Sequence, residues 1–240
     1  MRIINDNELH DGTYTCSNEN LNYPVSNLDD PFMAKRFQAT SSNTTIVMVL
    51  TTASTIDAVG HGLTNATSGT IRLYTGGPTT YTSAETISVD LTYDPCITYM
   101  TSAISSVTKI EVDLTTTSSY VYLGAVSAGD YYEIEYPQSN FARGLQDNTD
   151  WIQTVSGQSL ANYQKSLQTI PLTFNPQTIT ESNALIDMYR DIGIGTPFFV
   201  DFFEGYRTLL PPLYACFSSP PDDSGIAVNR SITLNFQECK

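Results

Sequence analysis

The chain has 240 residues, of which 25 are acidic and 11 are Lys or Arg, so its formal net charge is −14. An apolar fraction of 40% is enough for a folded core, which excludes an intrinsically disordered chain. So few cations argue against binding to nucleic-acid backbones and against docking on an anionic membrane.

The composition indicates a β-rich protein. Thr, Ser, Tyr and Phe are abundant, whereas Lys and Ala, which fill ordinary surface helices, are scarce. No basic stretch followed by an apolar run opens the sequence, and the longest aliphatic run, residues 46–50, is too short to cross a bilayer. We therefore expect no signal peptide and no membrane insertion, and a soluble protein made in the cytoplasm.

The first half of the chain predicts short strands separated by turns. Residues 1–40 are polar and turn-rich, and Pro24 and Pro31 predict an ordered loop there. Residues 45–50 are typical of a strand buried on both faces, and residues 70–74 of a half-buried one that ends at a Gly-Gly-Pro turn.

Two further segments of this half alternate charged and apolar residues. They are residues 109–114 and 130–136, and in each the charges are expected on the solvent face of a strand. Short strands with turn signals and no helical period between them are typical of an antiparallel sandwich or jelly roll.

The pattern of predicted elements changes after Pro137, where the second half of the chain begins. Residues 170–174 predict an edge strand because they contain a proline. One helix is predicted at residues 181–192, with a capping box formed by Thr178 and Glu181 and a stop at Gly193. Alternation at residues 232–237 predicts the final strand.

The predicted fold is therefore all-β, or mainly β, with two domains. Residues 1–136 form an antiparallel jelly-roll sandwich. Residues 137–240 form a β-sandwich that carries the helix at 181–192.

Reactive side chains are few. The cysteines Cys16, Cys96, Cys216 and Cys239 lack metal-binding spacing, so free buried thiols are favoured over disulfides, and neither a metal nor a cofactor is expected. His10 and His61 are the only histidines, and neither lies beside a recognisable nucleophile motif. We expect no enzymatic activity.

Three local patterns can be interpreted either as a catalytic or metal site or as ordinary surface structure. Ser106 and Lys109 match S-x-x-K, but Lys109 is expected on the solvent side of a strand. Residues 222–223 are two adjacent aspartates, which favour an exposed turn over a catalytic pair. Asn27, Asp29 and Asp30 offer oxygen ligands for Ca²⁺, but turn formation by their side chains explains them without a metal.

Aromatic residues supply the candidate binding positions. Tyr74, Tyr81, Tyr93 and Tyr99 are candidate platforms for a carbohydrate, although tyrosine also fills strands and protein interfaces. Phe199 and Phe203 lie on one face of a predicted strand and are candidates for a subunit interface; a strand buried on both faces within the monomer explains them equally well.

The order of these motifs resembles tail-tip proteins of tailed bacteriophages. Residues 23–31 (YPVSNLDDP), followed by RFQAT at 36–40, look like the opening of a galactose-binding-like (discoidin-like) jelly roll, and residues 120–129 resemble its penultimate strand and turn. Residues 170–176, 181–192, 195–203 and 232–238 resemble the sandwich-plus-helix module of distal-tail and tail-hub proteins. The tryptophan expected in the first strand is Phe37 here.

This resemblance implies a structural virion protein of the phage tail, synthesised in the host cytoplasm. It would assemble as a homo-oligomeric ring that connects the tail tube to the tip or baseplate, with other tail proteins as partners. The alternative is a carbohydrate-binding adhesion module whose jelly roll recognises a glycan of the host envelope. A hydrolase is a distant third.

Overall fold

The chain is mainly β, as predicted, with 17 strands and one α-helix in the described residues of the computed structural model. These residues are 1–4, 7–31, 35–134, 143–146, 150–153, 159–162, 166–175, 178–203, 205, 207–226 and 229–239. Within them, no helix is both long enough and apolar enough to cross a membrane.

Two compact units make up the chain. The first comprises Met1–Glu135 and Thr196–Tyr214, and the second comprises Tyr136–Gly195 and Ala215–Lys240. The sequence-based division placed residues 196–214 in the second domain, but their strand pairs with the N-terminal strand and so belongs with the first unit. The predicted boundary between residues 136 and 137 lies outside the described residues.

The first unit is built from ten strands and a short 3₁₀ helix at Val25–Asp29. The strands are β1 Arg2–Ile4, β2 Thr13–Cys16, β3 Phe37–Gln38, β4 Asn43–Thr64, β5 Ser68–Gly77, β6 Thr80–Ser88, β7 Cys96–Thr115, β8 Tyr122–Gly129, β9 Tyr131–Glu133 and β14 Phe198–Asp201.

The long strands β4 and β7 form the framework of this unit. Residues 43–49 of β4 pair with 109–115 of β7, and residues 58–61 pair with 96–99. Register shifts between Val49 and Ala58 separate the two stretches and bend the ladder. The strand order is β3-β8-β4-β7-β5-β6, with β2 paired to β4. Because side chains from both stretches share one core, the result is an antiparallel jelly-roll sandwich.

Burial alternates along the strands of this sandwich. Ile46, Met48 and Leu50 are buried in the core, whereas Val47 and Val49 are only half-buried on the opposite face. The expectation that residues 45–50 are buried on both faces is therefore wrong. The outer face of β4 lies beside polar residues of β7 rather than beneath a second layer.

Strand β14 is entirely buried. It pairs antiparallel with β1, which also pairs with β9. Phe199 has no exposed surface and its ring packs 4.6 Å, centroid to centroid, from that of Tyr214, so it is a core residue rather than a subunit contact. The interface prediction for Phe199 is corrected, because the aromatic residues at this strand fill the core of the unit itself.

The second unit contains β10 Gly144–Gln146, β11 Asp150–Gln153, β12 Ser159–Asn162, β13 Leu167–Phe174, helix α1 Ile179–Ile192, β16 Asp222–Ile226, β17 Asn229–Glu238 and the end of β15 Leu213–Phe217. Strand β13 pairs with β17 along residues 169–174, but with β10 only up to Thr169. Among the described residues, Pro171 thus lies where β13 pairs with β17 alone, as its missing N–H requires. Asp222 begins a strand paired with β17, so the predicted turn is wrong.

Candidate functional site

Polar side chains line the outer face of β4, β5 and β7. The register places Thr45, Asp113 and Thr70 in one cross-strand row. The next rows along the strands are Val47, Glu111 and Arg72, and then Val49, Lys109 and Tyr74. Since side chains two residues apart share a face, these rows form one continuous surface. We call Arg72, Tyr74, Tyr81, Lys109, Glu111 and Asp113 the outer strip.

An aromatic pair forms one end of the outer strip. Tyr74 of β5 and Tyr81 of β6 meet edge to face, with ring centroids 6.4 Å apart. The Lys109 ammonium lies 3.8 Å from the centroid of Tyr74 and 4.3 Å from that of Tyr81. Two of the four candidate tyrosines are thus brought together around a cation.

The charges of the outer strip pair with one another. Glu111 accepts hydrogen bonds from Arg72 (3.0 Å), Lys109 (2.9 Å) and the Tyr74 hydroxyl (2.8 Å). Arg72 also reaches Asp113 at 2.6 Å. Burial opposes ionisation of Glu111, but the bonds from Lys109, Tyr74 and Arg72 together outweigh it and lower its pKa. The carboxylate is therefore a fixed, ionised acceptor.

A polar pocket of about 280 Å³ adjoins the Asp113 end of the strip. It is lined by Ser17, Asn18, Asn43, Thr44, Thr45, Asp113, Leu114 and Thr115. Asn18 is held rigidly, because its amide donates to Ser41 and to the Asn43 carbonyl and accepts from Thr44. Thr45 donates to Asp113 at 2.6 Å.

Three groups at the pocket mouth remain available. In the described part of the chain, the Ser17 hydroxyl, the Thr115 hydroxyl and the Asn43 amide nitrogen have no hydrogen-bond partner, and all three residues are exposed. The Asp113 oxygens can accept further bonds. The pocket thus offers both donors and acceptors to a ligand rich in hydroxyl groups.

The two remaining tyrosine candidates lie elsewhere. Tyr93 is half-buried in the connection between β6 and β7. Tyr99 donates to Asp201 at 3.1 Å, and burial raises its pKa. Its ring lies beneath Arg2, whose guanidinium carbon is 4.7 Å from the centroid, so it is not a free platform. The Phe203 side chain is half-buried and has an interaction partner within the chain, and its place at a subunit interface stays a prediction.

A buried ionic cluster in the first unit surrounds Asp201. Arg207 donates to Asp201 through two nitrogens, at 2.9 and 2.6 Å, and reaches Asp90 at 2.8 Å. Burial opposes the charge of Arg207, but the bond to Asp201 outweighs it and raises the pKa of the guanidinium. This cluster is ionic and closely paired, which fits a structural role.

The side chains of Asn27, Asp29 and Asp30, for which turn formation was favoured over Ca²⁺ binding, each have a partner within the chain. The Asn27 amide donates to the Arg36 carbonyl at 2.9 Å, Asp29 accepts from the Asp11 N–H, and Asp30 pairs with Lys35 at 2.8 Å. Among the described residues, no group of three or more His, Cys, Asp or Glu side chains is arranged to hold a metal ion.

All four cysteines are free thiols, as expected, although only Cys96 is fully buried. Burial raises the pKa of Cys96 to about 12, so it is unreactive. The neighbouring Cys239 thiol lowers the pKa of Cys216 by hydrogen bonding to it.

Sequence reasoning missed the charged part of this site. Lys109 was expected in solvent, but its side chain is only 13% exposed because two tyrosine rings and Glu111 enclose it. The signal that was available is the matching alternation of residues 70–74 and 109–113. Two such strands paired antiparallel bring Arg72 opposite Glu111 and Tyr74 opposite Lys109.

No protein-family model matches the chain, and no curated protein matches its sequence. Solved structures similar to it include chitosan-binding module 1 of a chitosanase/glucanase from Paenibacillus sp. IK-5, at 18% identity and a TM-score of 0.45, covering 52% of this chain and 99% of that one. The lectin domain of lectinolysin, complexed with Lewis B antigen, shares 11% identity over 51% of this chain and 95% of that one, with a TM-score of 0.43. An F5/8 type C domain from Bacteroides fragilis shares 14% identity over 51% and 91%, also with a TM-score of 0.43.

Proposed function

We propose that the first unit is a non-catalytic carbohydrate-binding module, and that the polar pocket and the outer strip hold the glycan. The observation that carries this proposal is the pocket mouth, where Ser17, Asn43 and Thr115 present unused polar groups beside the fixed carboxylate of Asp113. Sugars are recognised through many hydroxyl groups, each of which can donate and accept.

The electrostatics of the site favour binding over catalysis. Glu111 and Asp113 are both paired with Arg72, so neither is poised to donate a proton to a leaving group. The local charges of the strip also balance, with two cations against two carboxylates. A neutral oligosaccharide is therefore the expected ligand. Its hydroxyls would bind at the pocket and along the polar side chains of the outer strip.

A glycan array probed with the full chain tests this proposal. Binding to at least one neutral oligosaccharide is expected, with its affinity then measured by calorimetry. Replacing Asn43→Ala and Thr115→Val together should weaken it by roughly 30-fold, since two hydrogen bonds worth about 1 kcal/mol each are lost.

A matched control is available on the same strand. Thr101 is also an exposed threonine of β7, and Thr101→Val should leave the affinity unchanged. If no neutral oligosaccharide binds, or if the pocket variant binds as tightly as the Thr101→Val control, the proposed site is wrong.

The tail-tip function stays a prediction, as do the homo-oligomeric ring, the phage partners and the virion location. They depend on the order of the sequence motifs. A glycan-binding module is compatible with a place in such an assembly, where it would contact a host-surface glycan.

A further inference from the structure

Arg36 differs from the other basic side chains that the structure describes. Six others pair with a carboxylate, and Arg143 donates to the Gln168 side chain. The Arg36 guanidinium alone has no hydrogen-bond acceptor within the described part of the chain. In a protein with a net charge of −14, a cation without an acid partner is unusual.

The fold holds this guanidinium between two tyrosine rings. Phe37 points into the core with no exposed surface, so Arg36 and Gln38 face outward. On one side of β3 the Gln38 N–H donates to the Tyr23 carbonyl at 3.0 Å, and on the other side β8 pairs through Tyr122. The guanidinium carbon lies 5.6 Å from the Tyr23 ring centroid and 5.2 Å from that of Tyr122.

This arrangement orders the side chain without using its hydrogen bonds. Cation–π contact uses none of the N–H donors of the guanidinium, so they stay available in the fork geometry that fits a carboxylate. The hydroxyls of Tyr23 and Tyr122 also have no partner among the described residues, and Tyr23 is 39% exposed. The Arg36 guanidinium thus lies near two phenol groups, those of Tyr23 and Tyr122, that can hydrogen-bond to the hydroxyls of a ligand.

We propose that Arg36, Tyr23 and Tyr122 form a binding site for the carboxylate and adjacent hydroxyls of a uronic acid. The guanidinium would bind the carboxylate with two parallel hydrogen bonds, and the phenol groups would bind ring hydroxyls. One cation matches one carboxylate. A densely charged sulfated or phosphorylated polymer would be repelled by the acidic protein and would need more cations than this site has.

The site is separate from the polar pocket, and it extends the proposed function by adding an acidic sugar class. It rests on that function only in taking a sugar as the ligand. The two can fail independently, because Arg36 is not part of the pocket lining or of the outer strip.

The test compares three small ligands on the full chain by NMR or calorimetry at fixed ionic strength. They are D-galacturonate, its methyl ester and D-galactose. Galacturonate should bind, whereas the ester and galactose should bind at least roughly tenfold more weakly, because neither carries the charge that Arg36 recognises. Equal binding of all three would overturn the proposal without any variant having to fold.

Variants then locate the site. Arg36→Gln should remove the preference for galacturonate over its ester, and Arg36→Lys should restore it only in part, because an ammonium lacks the planar fork. Tyr122→Phe keeps the ring and should weaken galacturonate binding without removing the charge preference. A preference that survives Arg36→Gln would contradict the proposed site.

Acetate and a short Asp-containing peptide serve as competitors. If either displaces galacturonate at a concentration equal to that of the sugar, the site is a general carboxylate or acidic-peptide site, and the assignment to uronic acids is wrong. The Asn43→Ala/Thr115→Val variant should keep its galacturonate affinity. Conversely, Arg36→Gln should keep its affinity for the neutral oligosaccharide, so each proposal has its own readout.

Discussion

Asp57 shows how burial of one carboxyl group can make stability depend on pH. Its carboxylate accepts a hydrogen bond from the Tyr131 N–H at 2.8 Å, but burial raises its pKa to about 6. An aspartate in the unfolded chain titrates near 4, so the folded chain binds this proton more tightly. The stability that Asp57 contributes is therefore complete below about pH 4 and is lost as the pH rises through 6.

Asp57→Asn should accordingly stabilise the protein at neutral pH. The amide oxygen can still accept from the Tyr131 N–H, and it cannot ionise. After allowing for solvent screening, we expect a gain of about 1 kcal/mol at pH 7 and a flatter profile between about pH 4 and 6. Denaturant unfolding at several pH values measures both. The exposed Asp187→Asn is the control, and a loss of stability in Asp57→Asn at pH 7 would contradict the argument.

At the scale of single elements, helix α1 has the predicted capping box, but it begins at Ile179, two residues before the predicted start at Glu181. Thr178 accepts from the Glu181 N–H at 3.2 Å, and Glu181 accepts from the Thr178 N–H at 3.0 Å, so both halves of the capping box are present. The helix continues to Ile192, and Gly193 follows with a φ of 75°. Leu185, Met188 and Ile192 are buried, so the helix packs one apolar face against the protein.

Thr178→Ala should destabilise this helix. It removes the acceptor for the Glu181 N–H, which costs about 1 kcal/mol at an N-cap. Thr178→Ser keeps an acceptor oxygen and should lose little. Helical circular dichroism followed through urea unfolding distinguishes the two variants; equal midpoints for Ala and Ser would show that the cap contributes nothing.

Elements with a regular local pattern could be predicted, and those defined by distant partners could not. Strand β17 and the second half of β7 alternate cleanly, and α1 has both of its end signals. The continuation of β4 to Thr64 was missed because Gly60 and Gly62 are poor strand formers. Gly60 is required there because the Phe199 ring lies where its Cβ would be. That contact joins residues far apart in sequence and leaves no local signal.

The candidate site was only half predictable for the same reason. Tyr74 and Tyr81 stand out as aromatic residues close together in sequence. The polar pocket forms where Asn18 meets Thr44, 26 residues away, and where both approach Asp113 of another strand. Nothing in the local sequence of any of these residues marks them as neighbours.

At the scale of the whole chain, the first unit depends on a segment that returns to it late in the sequence. Thr196–Tyr214 supplies β14, which pairs with β1, and Arg207, which binds Asp201 and Asp90. Asp201 is only 2% exposed, so water cannot solvate its charge. The Arg207–Asp90 ion pair and the hydrogen bond from Tyr99 to Asp201 therefore hold the returning segment to the part of the unit that precedes it in the sequence.

Arg207→Gln should destabilise the first unit severely. The variant leaves the buried carboxylate of Asp201 without its cation, and breaking a buried pair in this way typically costs about 3–5 kcal/mol. Arg190→Gln breaks an exposed pair with Asp187 and is the matched control, expected to have little effect because both side chains are more than half exposed. Thermal unfolding followed by tyrosine absorbance reports the difference. Similar melting temperatures for the two variants would mean that β14 alone holds the returning segment, and that the ionic cluster around Asp201 contributes no stability.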